Sequence, residues 1–173
     1  MYIGEYYGVI KRNKVDKIVK AIPLEERKKL WGMGIKIGRY HIYLPKMLKP
    51  KAVNFRVSLW KIFYNLQSNH KIPKSGLNFL NEKGLERNFL LLCGFENFNN
   101  FFVRIDILER LFMQIIKSNN EKEIKMVPEM LNLLGCSKEN FKKLLKNMGY
   151  KILEKNNETF FKYSPVKKAK KIF

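Results

Sequence analysis

The chain has 173 residues, of which 46% are hydrophobic and 29% are charged, so it is long enough to bury a core, and global disorder is excluded. Its 35 basic residues outnumber its 15 acidic residues and give a net charge of +20, which points to a polyanionic partner, RNA or DNA. No uninterrupted apolar run of about 18 residues occurs, and the N-terminus lacks the pattern of a signal peptide. We therefore expect a cytoplasmic protein without a membrane partner.

Metal and cofactor chemistry has little support in the sequence. Cys93, Cys136, His41 and His70 are the only cysteines and histidines, and they form no CxxC or HxxxH cluster that could supply a zinc site. Neither an ATP-binding GxxxxGK[ST] motif nor a DExH-type box occurs, and no Ser, His and Asp set stands in a recognisable context. We expect no metal, no cofactor and no catalytic residue.

The positive charge is concentrated towards the two ends of the chain. The net charge is +13 over residues 1–75, −1 over 76–100 and +8 over 101–173. An A/T-rich genome would explain the preference for Lys over Arg, but not the shortage of Asp and Glu. We divide the chain into a basic helical and hairpin region at 1–75, a near-neutral connecting segment at 76–100, a winged-helix-like module at 101–165 and a basic tail at 166–173.

The first elements are predicted to be two helices. Residues 9–22 repeat apolar side chains at helical spacing. That face consists of Val15, Ile18, Val19 and Ile22. Pro23 opens a second helix, LEERKKLW, in which acidic residues come first and lysines last, as the helix dipole favours, and Gly32 ends it.

A hairpin and a longer helix are predicted next. GIKIGRYHIYL alternates apolar side chains around Gly38 and Arg39, which predicts a β-hairpin. Pro50 then suits a helix start, and an apolar stripe follows at helical spacing. The stripe consists of Val53, Val57, Trp60, Phe63 and Leu66. This pattern favours a core face over a base-stacking surface.

The middle of the chain is predicted to be mostly irregular. Residues 67–84 are rich in Ser, Asn, Gly and Pro and indicate a linker or long loop, with His70 exposed to solvent in it. FLLLCGF predicts a short buried element, and the ENFNN that follows it predicts a turn.

The C-terminal part has the element order of a winged helix. VRIDILERLFMQIIK predicts a helix of about four turns. EIKMV predicts a strand, PEMLNLLG a second helix closed by Gly135, and SKENFKKLLKNMGY a third helix with Ser137 at its N-cap. YKILEKNNETFFKY predicts a hairpin. The predicted fold class is α+β and mainly helical, with N-terminal helices and a β-hairpin followed by a winged-helix-like module.

Lysines recur on the outer side of the third helix of this module and in the hairpin turn. They are Lys138, Lys142, Lys143 and Lys146, with Lys155 in the turn. In a helix-turn-helix module the third helix lies along a groove and the hairpin touches the backbone beside it. Lysines bind phosphates without reading bases, so sequence-specific regulation is not predicted. The alternative is a solvated helix face in a module that binds proteins.

A second basic set with interleaved aromatic residues precedes and enters the long helix. It comprises Lys36, Arg39, Tyr40, Tyr43, Lys46, Lys49 and Arg56. Basic groups can hold the backbone of a single strand while aromatic rings stack on its bases, and the two tyrosines are the candidate rings. The alternative is that the aromatic residues belong to the apolar face.

Two carboxylates on the predicted long C-terminal helix lie one turn apart. Asp106 and Glu109 alternate with Arg104 and Arg110. This arrangement predicts intrahelical ion pairs rather than a catalytic carboxylate pair.

Three segments carry a resemblance to a known family. They are GIKIGRYHIYLPKMLKP at 34–50, CGFENFNNFFVRIDILERL at 93–111 and LLGCSKENFKKLLKNMGY at 133–150. In this order they resemble the C-terminal region of alphaproteobacterial superfamily 2 helicases, which are related to the mitochondrial degradosome RNA helicase. In those helicases ATP and Mg²⁺ belong to the motor domains that precede this region. The resemblance therefore implies accessory nucleic-acid contact, and this chain lacks the motor motifs.

These observations predict a non-catalytic nucleic-acid-binding protein, the accessory portion of an ATP-dependent RNA or DNA helicase. A separate helicase motor or an RNase would be its protein partner. The alternative is an interaction adaptor that docks on such a partner, and an autonomous nuclease is a third class without a carboxylate set to support it. The sequence leaves open RNA or DNA, single strand or duplex, the oligomeric state, and whether the chain is a split gene, a fragment or a stand-alone protein.

Overall fold

A computed structural model describes residues 8–64, 70–81, 86–117 and 123–164. Within these ranges the fold is α+β, as predicted, with seven α-helices and three antiparallel sheets of three strands each. The helices are α1 (Arg12–Ala21), α2 (Leu24–Gly32), α3 (Pro50–Phe63), α4 (Arg87–Leu92), α5 (Ile105–Lys117), α6 (Pro128–Leu134) and α7 (Lys138–Asn147). The strands are β1 (Val9–Lys11), β2 (Lys36–Ile37), β3 (His41–Tyr43), β4 (Phe79–Asn81), β5 (Phe95–Phe98), β6 (Phe101–Arg104), β7 (Ile124–Lys125), β8 (Tyr150–Lys155) and β9 (Glu158–Tyr163). A 3-10 helix at Pro45–Leu48 precedes α3.

The first sheet has the order β1–β3–β2, and α1 packs against it through Val15 and Val19. The predicted hairpin is confirmed, since Ile37 pairs with Ile42 across the turn. The first helix starts later than predicted, because residues 9–11 extend to pair with β3. Its predicted apolar face is only partly buried: Val15 and Val19 join the core, whereas Ile18 is exposed. This short helix covers one side of a three-stranded sheet and can bury only a narrow stripe.

Helix α3 and the sheet β4–β6–β5 enclose a second core. Val53 and Val57 pack there with side chains of β4, α4 and β6. The predicted stripe does not continue to Phe63, which is 80% exposed, and Leu66 lies outside the described residues. Trp60 is half-buried and packs against this core from its edge.

The region predicted to be loop and turn contains regular structure. FLLLCGF is largely buried, as predicted, and supplies the last four residues of α4 and the first residue of β5. The residues around ENFNN, predicted to be a turn, form a β-hairpin of β5 and β6 with Asn99 at positive φ in its turn. Strand β4 pairs with β6 through Phe79 and Val103. His70 is not freely exposed as predicted, because its ring packs on Phe89 with centroids 4.9 Å apart. Aromatic side chains, rather than the turn residues between them, decide the structure here.

The element order α5–β7–α6–α7–β8–β9 agrees with the prediction for the C-terminal part. Its strands form a sheet in the order β7–β9–β8. Gly135 closes α6 in the left-handed region at φ 68°, and the Ser137 hydroxyl accepts a hydrogen bond from the Asn140 amide at the start of α7. Asn156 and Asn157 both have positive φ in the two-residue turn that joins β8 to β9, as a tight hairpin requires.

The three sheets share packed surfaces. The largest core lies between α5, α6, α7 and β9, and Tyr40 from the first sheet and Phe79 from the second pack against it. The predicted boundary at residue 100 falls in the turn between β5 and β6, and the division into domains stays a prediction. In the described ranges, none of the helices combines the length and apolar character that crossing a membrane requires.

Candidate nucleic-acid interface

Helix α7 has one buried and one exposed face. Phe141, Leu144 and Leu145 are fully buried in the largest core, because they recur at the three- and four-residue spacing of a helix face. Lys143 and Lys146 are exposed on the other side. The packing thus fixes the helix and leaves these two ammonium groups in solvent.

Two of the other predicted lysines, Lys142 and Lys155, form ion pairs. The Lys142 ammonium pairs with Glu154 of β8, and it holds the pKa of that carboxyl below its usual value. Lys155 lies 2.7 Å from the Glu123 carboxylate. These pairs join the hairpin to α7 and to the residue before β7, and they reduce the positive charge that Lys142 and Lys155 offer to a ligand.

A cleft of about 500 Å³ lies between α7 and the turn of the hairpin. Its lining residues are Lys138, Lys142, Lys155, Glu154, Glu158, Asn156, Asn157 and Thr159, so three lysines share the cleft with two glutamates. Three of the five predicted lysines of this region therefore line the cleft, and Lys143 and Lys146 are exposed on the same helix.

The second predicted basic set does not form the expected stacking surface. Lys36, Arg39, Lys46 and Lys49 are exposed. The tyrosines between them are not available as stacking platforms, which corrects the prediction. Tyr43 is buried, and burial raises its pKa to about 12. Tyr40 is partly buried against the largest core, and its ring forms a T-shaped pair with Phe112, with centroids 5.0 Å apart.

The prediction that Arg56 belongs to a nucleic-acid-binding surface is also wrong. Only 3% of the residue is exposed, and it lies on the side of α3 that carries Val53 and Val57. Burial lowers the pKa of its guanidinium. A residue so enclosed cannot reach a nucleic-acid phosphate, so Arg56 leaves the set of candidate binding residues.

Sequence reasoning missed a buried charge network that joins the first two sheets to α5. His41 of β3 lies between two carboxylates: its Nε2 is 2.7 Å from Glu96 Oε2, and its Nδ1 is 3.3 Å from Glu109 Oε1. Lys11 of β1 donates to the other oxygen of Glu96 at 2.8 Å. We call His41, Glu96, Glu109 and Lys11 the histidine network.

Glu109 is held by the hairpin turn rather than by a neighbour on its own helix. Its carboxylate accepts backbone N–H hydrogen bonds from Arg39, Tyr40 and His41 at 2.6, 2.8 and 2.8 Å. Its partners are these amides and the His41 ring, so the intrahelical ion pair predicted for Glu109 is wrong. Asp106 does pair with Arg104 at 2.6 Å, although Arg104 belongs to β6 and not to the helix.

The turn can close on this carboxylate only because residue 38 is glycine. A Cβ atom built on Gly38 would lie 2.4 Å from both Cδ and Oε2 of Glu109. The φ of Gly38 is not in the left-handed region, so the requirement for glycine here is one of space and not of backbone conformation.

The contacts within the network shift the pKa values of His41 and Glu96. Burial opposes the charged form of His41, but hydrogen bonds and charge from Glu109 and Glu96 outweigh it and raise the pKa of the imidazole. Burial likewise opposes ionisation of Glu96, and His41 and Lys11 outweigh it and lower the pKa of that carboxyl to about 2. Both shifts thus favour the charged form of the group concerned, and hydrogen bonds link the four side chains of the network.

The helical pattern contains a signal for this site. Glu109 is four residues after the buried Ile105 and on the side of α5 that the periodicity assigns to the core. A carboxylate at such a position requires buried donors. In the described part of the chain, no three His, Cys, Asp or Glu side chains are arranged to hold a metal ion.

Stability should depend on pH through the histidine network. His41 has a raised pKa, so its contribution is complete below the ordinary value of 6.5 and is lost as the pH rises through the raised value. Glu96 has a lowered pKa, so its contribution is complete above 4.5 and is lost as the pH falls towards about 2. We expect the contribution of the network to the free energy of unfolding to be largest between pH 4.5 and 6.5.

Urea denaturation across this pH range measures the effect. The loss of stability above pH 6.5 should be reduced in the His41→Gln variant and retained in His70→Gln, which removes the other histidine. An alkaline loss that is equal in the parent and in His41→Gln would contradict the assignment to His41.

No family model, no curated protein and no solved structure matches the chain. The class that the fold and the surface define is an α+β protein with an exposed basic helix face beside a β-hairpin.

Proposed function

We propose that this protein binds nucleic acid without catalysing a reaction on it, through α7 and the hairpin of β8 and β9. The observation that carries the proposal is the exposed position of Lys143 and Lys146 on a helix whose opposite face is fully buried. A rigidly packed helix presents its cations at fixed positions, which suits contacts with regularly spaced phosphates.

The proposal includes a winged-helix-like module at residues 101–165. The order of helices and strands, the third helix α7 and the adjacent hairpin support it. In modules of this type the third helix meets the nucleic acid and the hairpin contacts its backbone. The cleft between α7 and the hairpin turn would then face the same phosphate backbone.

The expected contacts are independent of sequence. The exposed side of α7 offers lysines and Glu139, and lysines hold phosphates without distinguishing bases. The asparagines of the helix are engaged elsewhere: the Asn147 amide donates to the Phe98 carbonyl at 3.2 Å, and Asn140 lies 3.5 Å from Asn81. Base-specific binding through α7 is therefore not part of the proposal.

The helicase setting rests on the sequence resemblance alone. We propose the chain as an accessory portion of an ATP-dependent RNA or DNA helicase, with a separate motor or an RNase as its protein partner. The exposed Lys36, Arg39, Lys46 and Lys49 add positive charge outside α7. This charge would strengthen binding to either nucleic acid through counterion release.

Fluorescence polarisation tests the proposal with labelled single-stranded RNA, single-stranded DNA and duplex over about 50 to 200 mM salt. The Lys143→Glu, Lys146→Glu double variant should bind more weakly, and its salt slope should fall by about one for each lysine that contacts a phosphate. Lys142 is left unchanged because its substitution would also break the pair with Glu154.

The matched control is the Lys17→Glu, Lys29→Glu double variant, which changes the net charge equally on exposed sites of α1 and α2. It should retain most of the affinity. Equal losses in the two double variants would mean that only the total charge matters, and the proposed interface would be rejected. Binding that does not respond to salt would reject the phosphate contacts themselves.

A further inference from the structure

A groove of about 680 Å³ lies between the N-terminal hairpin and the outer face of α5. Trp31 of α2 and Met113 and Ile116 of α5 line it, and 49%, 54% and 48% of these residues are exposed. Neither α7 nor the hairpin of β8 and β9 contributes a lining residue. The groove is therefore distinct from the α7 surface proposed for nucleic acid.

The rim of this groove is strongly basic. Its lining cations are Arg12, Lys36, Arg39, Arg110 and Lys117. Among the described lining residues, Glu109 is the one carboxylate, and it is buried and held by three backbone amides of the hairpin turn. Of the cations, Arg12 is paired with Asp16 at 3.3 Å. The groove thus offers an apolar floor with uncompensated positive charge around it.

Helix α5 arranges these side chains in an order that suits a helical ligand. Met113 follows Arg110 by three residues, and Ile116 and Lys117 follow Met113 by three and four, so all four share one side of the helix. A helix rises 1.5 Å per residue, which separates the two cations by about 10 Å along the axis. Two apolar side chains between two cations complement an apolar face flanked by acids.

The floor suits peptide side chains better than nucleic-acid bases. Successive bases of a strand stack on several aromatic faces. Among the described lining residues, Trp31 is the one exposed aromatic side chain, and the Phe112 ring lies under the Arg39 guanidinium, 5.6 Å from its centroid. The flexible Met side chain adapts to apolar side chains of a partner, and Met, Trp and Arg are enriched in protein interfaces. The composition of the groove therefore favours a protein ligand.

We propose that this groove binds an acidic amphipathic segment of a protein partner. Apolar side chains of the segment contact Trp31, Met113 and Ile116, and its carboxylates lie against Arg110, Lys117 and the basic residues of the hairpin. This interaction does not depend on nucleic-acid binding by α7, so the two can be tested apart.

The test is selection of random peptides, about four helical turns long, displayed on phage against the full chain at about 150 mM salt, where long-range attraction is screened. Enriched peptides should combine Asp or Glu with apolar residues three and four positions apart. Their synthetic forms should bind the Ile116→Asp variant about tenfold more weakly, as expected for loss of an apolar anchor. The matched control is Ile62→Asp, because Ile62 lies on α3 with 76% exposure. The affinity of this variant for the selected peptides should equal that of the parent.

Charge reversal supplies the second comparison. The Arg110→Glu, Lys117→Glu variant should lose the selected peptides, whereas Lys143→Glu, Lys146→Glu, with the same change of net charge, should keep them. The proposal is overturned if the selected peptides are neutral or basic, or if they bind Ile116→Asp as tightly as the parent. It is also overturned if single-stranded RNA displaces the peptides and itself loses affinity in Ile116→Asp, since the groove would then hold a nucleic-acid strand.

Discussion

Replacement of Glu109 by glutamine is expected to lower the free energy of unfolding by about 3 kcal/mol, although the two side chains have nearly the same shape. The carboxylate accepts three backbone N–H hydrogen bonds and faces His41. A glutamine amide has one acceptor oxygen and a donor NH₂ group, so at least one N–H of the turn would face another donor. The charge that stabilises protonated His41 is lost as well.

Urea denaturation followed by tryptophan fluorescence measures this loss, with Glu26→Gln as the control. Glu26 is exposed on α2, and its substitution should cost about 0.5 kcal/mol or less. A cost for Glu109→Gln that is no greater than that of the control would mean that solvent reaches the carboxylate and that the turn does not close on it.

The Gly38→Ala variant is expected to lose about 2 kcal/mol of stability, because an added methyl group must be accommodated in a filled space. The obstacle is the Glu109 carboxylate, 2.4 Å from the position of the new Cβ atom. The side chain cannot simply rotate away, since three backbone amides hold it in place. The turn would have to move and lengthen these hydrogen bonds.

Gly32→Ala is the matched control, since no atom lies within 4 Å of a Cβ built there and alanine is favoured over glycine in a helix. It should be neutral or slightly stabilising. A double-mutant cycle identifies the cause: in a Glu109→Ala background the additional cost of Gly38→Ala should become small. An unchanged cost in that background would place the obstacle elsewhere.

The fold could be predicted where apolar periodicity alone determines burial. Helix α5 buries Ile105, Leu108 and Leu111 as the spacing predicts, and the turn chemistry of Gly135 and of Asn156-Asn157 marks element ends correctly. These features are local, because the residues that decide them are neighbours on the same helix or in the same turn.

The predictions that failed concern segments whose structure depends on residues far away in the sequence. Strand β4 lies in a stretch rich in turn residues and becomes extended because Phe79 pairs with Val103 of β6. Phe63 continues the apolar stripe of α3 but lies beyond the sheet that covers Val53 and Val57, and it is exposed. Spacing along one helix does not reveal how far the covering element extends.

The candidate site also contains features that could be predicted from the sequence and features that could not. The exposed lysines of α7 follow from the helix itself, since the buried face of Phe141, Leu144 and Leu145 determines which residues face solvent. The burial of Arg56 and Tyr43 does not follow from their own elements, because Arg56 lies near Cys93 and Tyr43 lies between Val9 and Lys36 in the sheet. The role of Glu109 depends on a turn about 70 residues earlier in the chain, and the predicted intrahelical ion pair took account only of residues near it in sequence.

The enclosure of Glu109 has a consequence for how this sequence can diverge. The three amides that hold the carboxylate belong to the backbone, so the identities of Arg39 and Tyr40 are free to vary without loss of these bonds. Gly38, His41, Glu96 and Glu109 are not independent in this way, because a change at one leaves a buried charge or a steric conflict at another. We expect these four positions to be inherited or lost together, and an insertion between residues 38 and 41 to be accepted only when the acid at 109 is also replaced.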